Sequence, residues 1–109
     1  MLMFYILGRI METPSEDPYL SGRFGVQYTK GLQNGQDSRY YQGISTLKHW
    51  DAYNLEDFNG TDRHHFDAKV TKYDLAATYF PQFKAAIQEG QAKGVMCSYN
   101  SLNGVPAVR

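Results

Sequence analysis

Leu20, Phe24, Tyr28 and Leu32 recur every four positions, a spacing that sets them on one face of a helix. Asp17-Pro18 stands just ahead of them: Asp can cap a helix, and Pro fits the first helical position, where its missing N–H is not needed. Asn34-Gly35 closes the run. The pattern therefore predicts a helix from Pro18 to about Leu32. Ile44 to Trp50 is short, rich in β-formers and follows Gly43, which predicts a strand. Asp51 to Arg63 is polar and turn-rich and reads as a loop. Thr71 and Asp74 form a capping pair for a short helix near Lys72–Thr78. Pro81 disfavours helix at Phe80 and starts a further helix running to about Glu89, with Phe83 and Ile87 as its buried face. After Gly90, Gly94 to Tyr99 is a compact apolar strand, and Asn100, Asn103, Gly104 and Pro106 are turn residues.

Helix, strand, helix, strand is the order that right-handed crossovers and a parallel sheet produce, so the fold class is α/β. A closed (β/α)₈ barrel takes roughly 250 residues, and this chain has 109. The expectation is one domain over residues 1–109: a partial (β/α)₈ barrel of two to three βα units, or a small α/β unit of its own, with the order of elements favouring the barrel piece.

Composition narrows the function. Eleven basic and eleven acidic residues cancel, so bulk charge draws the chain neither to nucleic acid nor to an anionic membrane. Nine tyrosines suit sugar binding and helix–sheet packing alike. Cys97 has no partner cysteine and falls inside the second strand, where it reads as core. The apolar start, Met1 to Leu7, is too short to span a membrane and lacks the features of a signal peptide. His64-His65 invites a metal, but neighbours in a strand point to opposite faces and no further ligand sits at a recognisable spacing, so no metal is expected. Asn59-Gly60-Thr61 is an N-glycosylation candidate and, equally, a turn signal.

In parallel α/β folds, functional residues gather where strands end at their carboxyl side. Lys48-His49 lies near the end of the first predicted strand and Tyr99 at the end of the second, offering ammonium donors, an imidazole and a hydroxyl on an aromatic plate. That set suits the hydroxyls and apolar ring face of a pyranose. Three strings carry a stronger signal together: residues 8–18 (GRIMETPSEDP), Lys48-His49, and residues 96–106 (MCSYNSLNGVP). Asp62-Arg63 and the Asp74-Leu75…Tyr79…Pro81…Phe83 pattern lie between them. In that order they resemble the N-terminal barrel domain of family 3 glycoside hydrolases, nearest the β-xylosidase branch.

The resemblance implies a pocket for a terminal sugar lined by Arg9, Lys48, His49 and Tyr99. Glu12 is a weaker candidate, three residues from Arg9 and able to orient it, and Met96 is another. It implies an exo-acting, retaining glycosidase of the β-xylosidase or α-L-arabinofuranosidase type, with no cofactor and an extracellular or secreted location. Such chemistry needs two carboxyl groups about 5–5.5 Å apart. None of Glu12, Glu16, Asp17, Asp51, Asp57 or Asp62 stands where the family places them. Its nucleophile is an Asp in a Ser-Asp segment after the Asn-Gly-Val-Pro turn, so both catalytic groups are expected outside this chain. The remainder of the barrel and a C-terminal domain are the expected partners. Met1–Leu7 departs from the family's usual Arg-Asp-Pro-Arg-Trp stretch, which makes the start atypical or truncated. A non-catalytic carbohydrate-binding remnant and an inert gene fragment are the alternatives.

Overall fold

The computed structural model describes residues 10–108. Arg9 and the Met1–Leu7 start lie outside them. After a 3₁₀ turn at Ile10–Glu12, helix α1 spans Pro18–Gln33. Asp17 caps it, its carboxylate accepting from Tyr19 N at 2.8 Å, and the chain leaves helical geometry at Asn34. Strand β1 covers Thr46–Trp50. Next come β2 (Asp57–Phe58), β3 (Thr61–Asp62) and β4 (Asp67–Ala68). The Thr71 hydroxyl accepts from Asp74 N and so caps the short α2, Lys72–Asp74, which runs into a π-helical turn at Leu75–Tyr79. Pro81 then opens α3, Pro81–Gln88. Strands β5 (Gly94–Cys97), β6 (Ser101–Leu102) and β7 (Val105–Pro106) complete the described chain.

β1 and β5 pair in parallel, as the order of elements predicts. The loop read between Asp51 and Arg63 holds more structure than its composition suggests: β2 and β3 form a hairpin. β6 lies parallel to β4 and antiparallel to β7 in a second small sheet.

The buried face of α1 is not the one its apolar residues mark. Leu20 and Phe24 are each 53% exposed and Tyr28 60%, whereas Gly22, Val26, Thr29 and Gln33 are buried. The reason is close approach to α3. A Cβ at Gly22 would stand 3.2 Å from Ala85 Cβ, and one at Gly25 would stand 3.4 Å from Ala86 Cβ. Small residues bring the two backbones together, and that contact turns the large side chains outward. It also turns Ile87 of α3 to the surface, leaving Phe83 and Ala86 as its buried residues.

Gln33, almost fully buried, binds α1 to the starts of both main strands. Its Nε2 donates to Gln91 O at 2.9 Å, and its Oε1 accepts from Ser45 N at 3.2 Å and Lys93 N at 3.3 Å. Beside it the Thr29 and Ser45 hydroxyls lie 3.1 Å apart. Ser45 N is thus held by the helix, and β1 starts at Thr46 rather than at Ile44. Cys97, expected in the core, is exposed. Among the described residues β5 has one strand neighbour, β1, and most of its length faces outward.

Candidate sugar-binding site

β1 carries its chemistry at a local irregularity. Lys48 is opposite Met96 while Trp50 is opposite Cys97, so His49 is an extra residue in the ladder. Such a bulge re-aims side chains at the end of a strand. The Lys48–His49 and Trp50–Asp51 peptide bonds are cis. Trp50 stacks on Phe80 with ring centroids 4.9 Å apart and meets the edge of Phe83 at 5.1 Å, which fixes this strand end against α3.

An open cleft of about 380 Å³ lies along this end of β1 and the flank of α1; Glu12, Tyr28, Lys48, His49, Asp51 and Tyr53 are in its wall. Lys48 Nζ sits 2.6 Å from Glu12 Oε2, which holds the ammonium in one place at the rim. The His49 ring meets Tyr53 edge-on at 4.7 Å. Asn54 Nδ2 donates to the Tyr79 hydroxyl at 2.7 Å and ties the floor of the cleft to the π-helical turn.

Asp51 is 3% exposed. Its Oδ1 accepts from Ala52 N at 2.6 Å, and its Oδ2 is buried without a partner among the described residues. Burial pushes its pKa up to about 6, against the lowering effect of the Ala52 N–H. The Asp51 carbonyl accepts from Ser98 Oγ at 3.0 Å and from Asn100 Nδ2 at 3.2 Å. Ser98 and Asn100 are therefore clamps that join the two strand ends, a role the sequence reading did not assign them. Tyr99 between them faces outward.

The predicted site residues divide. Glu12, Lys48 and His49 share the cleft wall. Tyr99 lies at the same carboxyl end of the sheet but is not in that wall. Its ring is 4.7 Å from His64, and the Arg63 guanidinium lies 5.3 Å from its centroid. Tyr53 links the two groups: its ring touches His49, and Arg63 and Glu56 stand beside its hydroxyl, whose pKa is raised chiefly by burial. Met96 lies opposite Lys48 on β5 and is half exposed, outside the cleft wall. Arg9 lies outside the described residues. Arg63 and Tyr53 are polar and aromatic side chains of the segment read as a loop, and Arg63 was visible in sequence only as half of Asp62-Arg63.

His64 and His65 occupy a turn after β3, not a strand, so the opposite-face reading of them does not hold. Both approach Asp62 Oδ1, at 3.7 and 2.8 Å. Asp62 is held below the usual carboxylate range, mainly by the His64 backbone N–H and then by His65. Among the described residues, no group of three His, Cys, Asp or Glu could hold a metal ion.

The profile of the glycosyl hydrolase family 3 N-terminal domain matches residues 7–109. The chain belongs to that family. It is 48% identical over 99 residues to a probable exo-1,4-beta-xylosidase of Aspergillus clavatus and 44% identical over 99 residues to beta-D-xylosidase 1 of Arabidopsis thaliana; each match covers 91% of this chain and 13% of the relative. Among solved structures it is similar to a family 3 exo-beta-xylosidase in complex with a xylobiose aziridine probe, with a TM-score of 0.86 and 39% identity over 92% of this chain and 13% of that one. It is also similar to beta-glucosidase 3B of Thermotoga neapolitana in complex with glucose, with a TM-score of 0.79 and 34% identity over 94% of this chain and 13% of that one. This family 3 chain thus spans about 13% of the length of the relatives it matches, and its parallel β1–β5 pair with flanking helices is a partial (β/α) unit of the family domain.

Proposed function

We propose that the chain supplies part of the sugar pocket of a retaining exo-glycosidase, of the β-xylosidase or α-L-arabinofuranosidase type, that removes terminal sugars from plant cell-wall polysaccharide or oligosaccharide. The observation that carries this is the Lys48–Glu12 pair beside His49 in the wall of one cleft at the carboxyl end of β1. An ammonium held by a carboxylate donates to sugar hydroxyls from a fixed position, and His49 adds a donor and an acceptor. In this reading Arg9, Tyr99 and, more weakly, Met96 are further sugar-binding residues, with Tyr99 acting from outside that wall at the same carboxyl end of the sheet. The nucleophilic Asp and the acid/base come from chain outside residues 1–109. The Asp attacks the anomeric carbon as the acid/base protonates the glycosidic oxygen and that bond breaks, and a glycosyl-enzyme forms. Water, giving its proton to the same acid/base, then displaces the Asp and releases the sugar with retention. The remainder of the barrel and a C-terminal domain complete the enzyme, which works outside the cell and needs no cofactor.

The test uses aryl β-xyloside, arabinofuranoside and glucoside. The isolated chain is expected to turn over none of them. Residues 10–108, exchanged for the matching segment of the Arabidopsis relative, are expected to preserve its β-xylosidase activity, and Lys48→Met in that chimera to lower kcat/KM at least tenfold, about 1.4 kcal/mol. Turnover by the isolated chain that vanishes only on mutating an acid within residues 1–109 would overturn the reading. An active chimera indifferent to Lys48→Met removes Lys48 from the pocket.

A further inference from the structure

The hairpin β2–β3 lies apart from the cleft, and none of its residues is in the cleft wall. Its two central residues, Asn59 and Gly60, have φ of 52° and 81°. Positive φ at both positions defines a type I′ turn, which favours Asn-Gly. The turn explains those two residues. It does not require a hydroxyl residue at position 61, yet Thr61 completes an Asn-Gly-Thr triplet, the only Asn-x-Ser/Thr in the sequence.

The other Asn-Gly turn with positive φ at both positions shows what an asparagine does when it serves the fold. Asn103 Nδ2 donates to Val70 O at 2.8 Å, and its Oδ1 accepts from Val70 N at 3.0 Å. Asn59 is exposed, and no hydrogen bond described among residues 10–108 involves its amide. A Cβ built on Gly60 meets nothing within 4 Å, so the tip stands in open space. Phe58, immediately before Asn59, pairs across the strands with Thr61 and is 55% exposed. It is an uncovered aromatic plate beside a free amide, of a kind on which the apolar face of an amino sugar packs.

We propose that Asn59 is an acceptor for an N-linked oligosaccharide whose first N-acetylglucosamine packs on the Phe58 ring. The donor is an oligosaccharide on a lipid pyrophosphate. A bond forms from Asn59 Nδ2 to the anomeric carbon as the bond from that carbon to pyrophosphate oxygen breaks; the amide gives up one proton and the lipid pyrophosphate leaves.

The experiment is translation of the whole chain behind a cleavable leader in the presence of endoplasmic-reticulum microsomes. It reads occupancy whether or not the chain then stays folded. The expected result is a one-glycan mobility shift in the protease-protected product, reversed by peptide N-glycosidase with conversion of Asn59 to Asp. Asn59→Gln and Thr61→Ala abolish the shift and Thr61→Ser keeps it. A protected product without the shift, or a shift that survives Asn59→Gln, overturns the proposal. Phe58→Ala is expected to lower the shifted fraction, and an unchanged fraction overturns the packing on Phe58. No outcome depends on glycosidase activity.

Discussion

Between α1 and α3 the chain is held by volume: Gly22 and Gly25 meet Ala85 and Ala86, and Val26, Phe83 and Ala86 are buried around them. Residues 57–70 and 98–107 contribute nothing to the buried apolar core. There, polar atoms hold the chain. Asn103 brackets Val70, Asp67 Oδ1 accepts from Gly104 N at 2.8 Å, and Ser101 N donates to Phe66 O at 3.0 Å. Asp67 also pairs with Lys69 and is held below the usual carboxylate range, first by that lysine and then by the Gly104 N–H. Two methods of holding a chain thus adjoin at the strand ends, and the cleft belongs to the first while Tyr99 belongs to the second. Changes of volume should damage the helical half, and loss of single polar atoms the other.

The largest expected effect is Phe83→Ala, which empties the site under Trp50 and should cost about 3–5 kcal/mol in urea unfolding. A cost below 1 kcal/mol would mean that the aromatic cluster is not a core. Asp51→Asn comes next. The folded chain binds the Asp51 proton more tightly than the unfolded chain does, since its pKa rises from 3.8 to about 6. Its contribution is therefore fully present below pH 3.8 and is lost as pH rises through about 6. Asparagine removes this slope and should raise stability at pH 7.5 by about 2 kcal/mol, a figure discounted for water in the open cleft. Thermal melts from pH 4 to 7.5 test it, and parallel profiles for the two proteins would contradict it. Gln33→Ala leaves Ser45 N, Lys93 N and Gln91 O without their partner and should cost about 1–3 kcal/mol. Asn103→Ala is the smallest, about 1 kcal/mol, because water replaces the bonds to Val70 at an exposed site. If it proved as costly as Phe83→Ala, the contrast between the halves would fail.

The termini of α1 were legible because Asp17, Pro18 and Asn34 act locally. β1 and β5 were legible because short β-rich runs followed glycines. The buried face of α1 was not, because apolar periodicity has no mark for Gly22 and Gly25, whose value is the space they leave. The two-residue ladders β2–β3 and β6–β7 are too short to show a period, although Asn59-Gly60 and Asn103-Gly104 announce their turns. At the candidate site, the strand-end position of Lys48 and His49 was readable from β1. The pairing of Lys48 with Glu12 joins residues 36 apart, and the link from His49 through Tyr53 to Arg63 and Tyr99 runs between loops; neither has a local signature. Asp51 was seen only as one acid among several, because the residues that hold its backbone carbonyl, Ser98 and Asn100, stand nearly fifty residues away.

Because one side-chain amide receives the N–H groups of both Ser45 and Lys93, those two protons share a gatekeeper. Deuterium should enter both at one common rate, set by withdrawal of Gln33 rather than by fraying of either strand. The starts of β1 and β5, distant in sequence, then open to solvent as a single event.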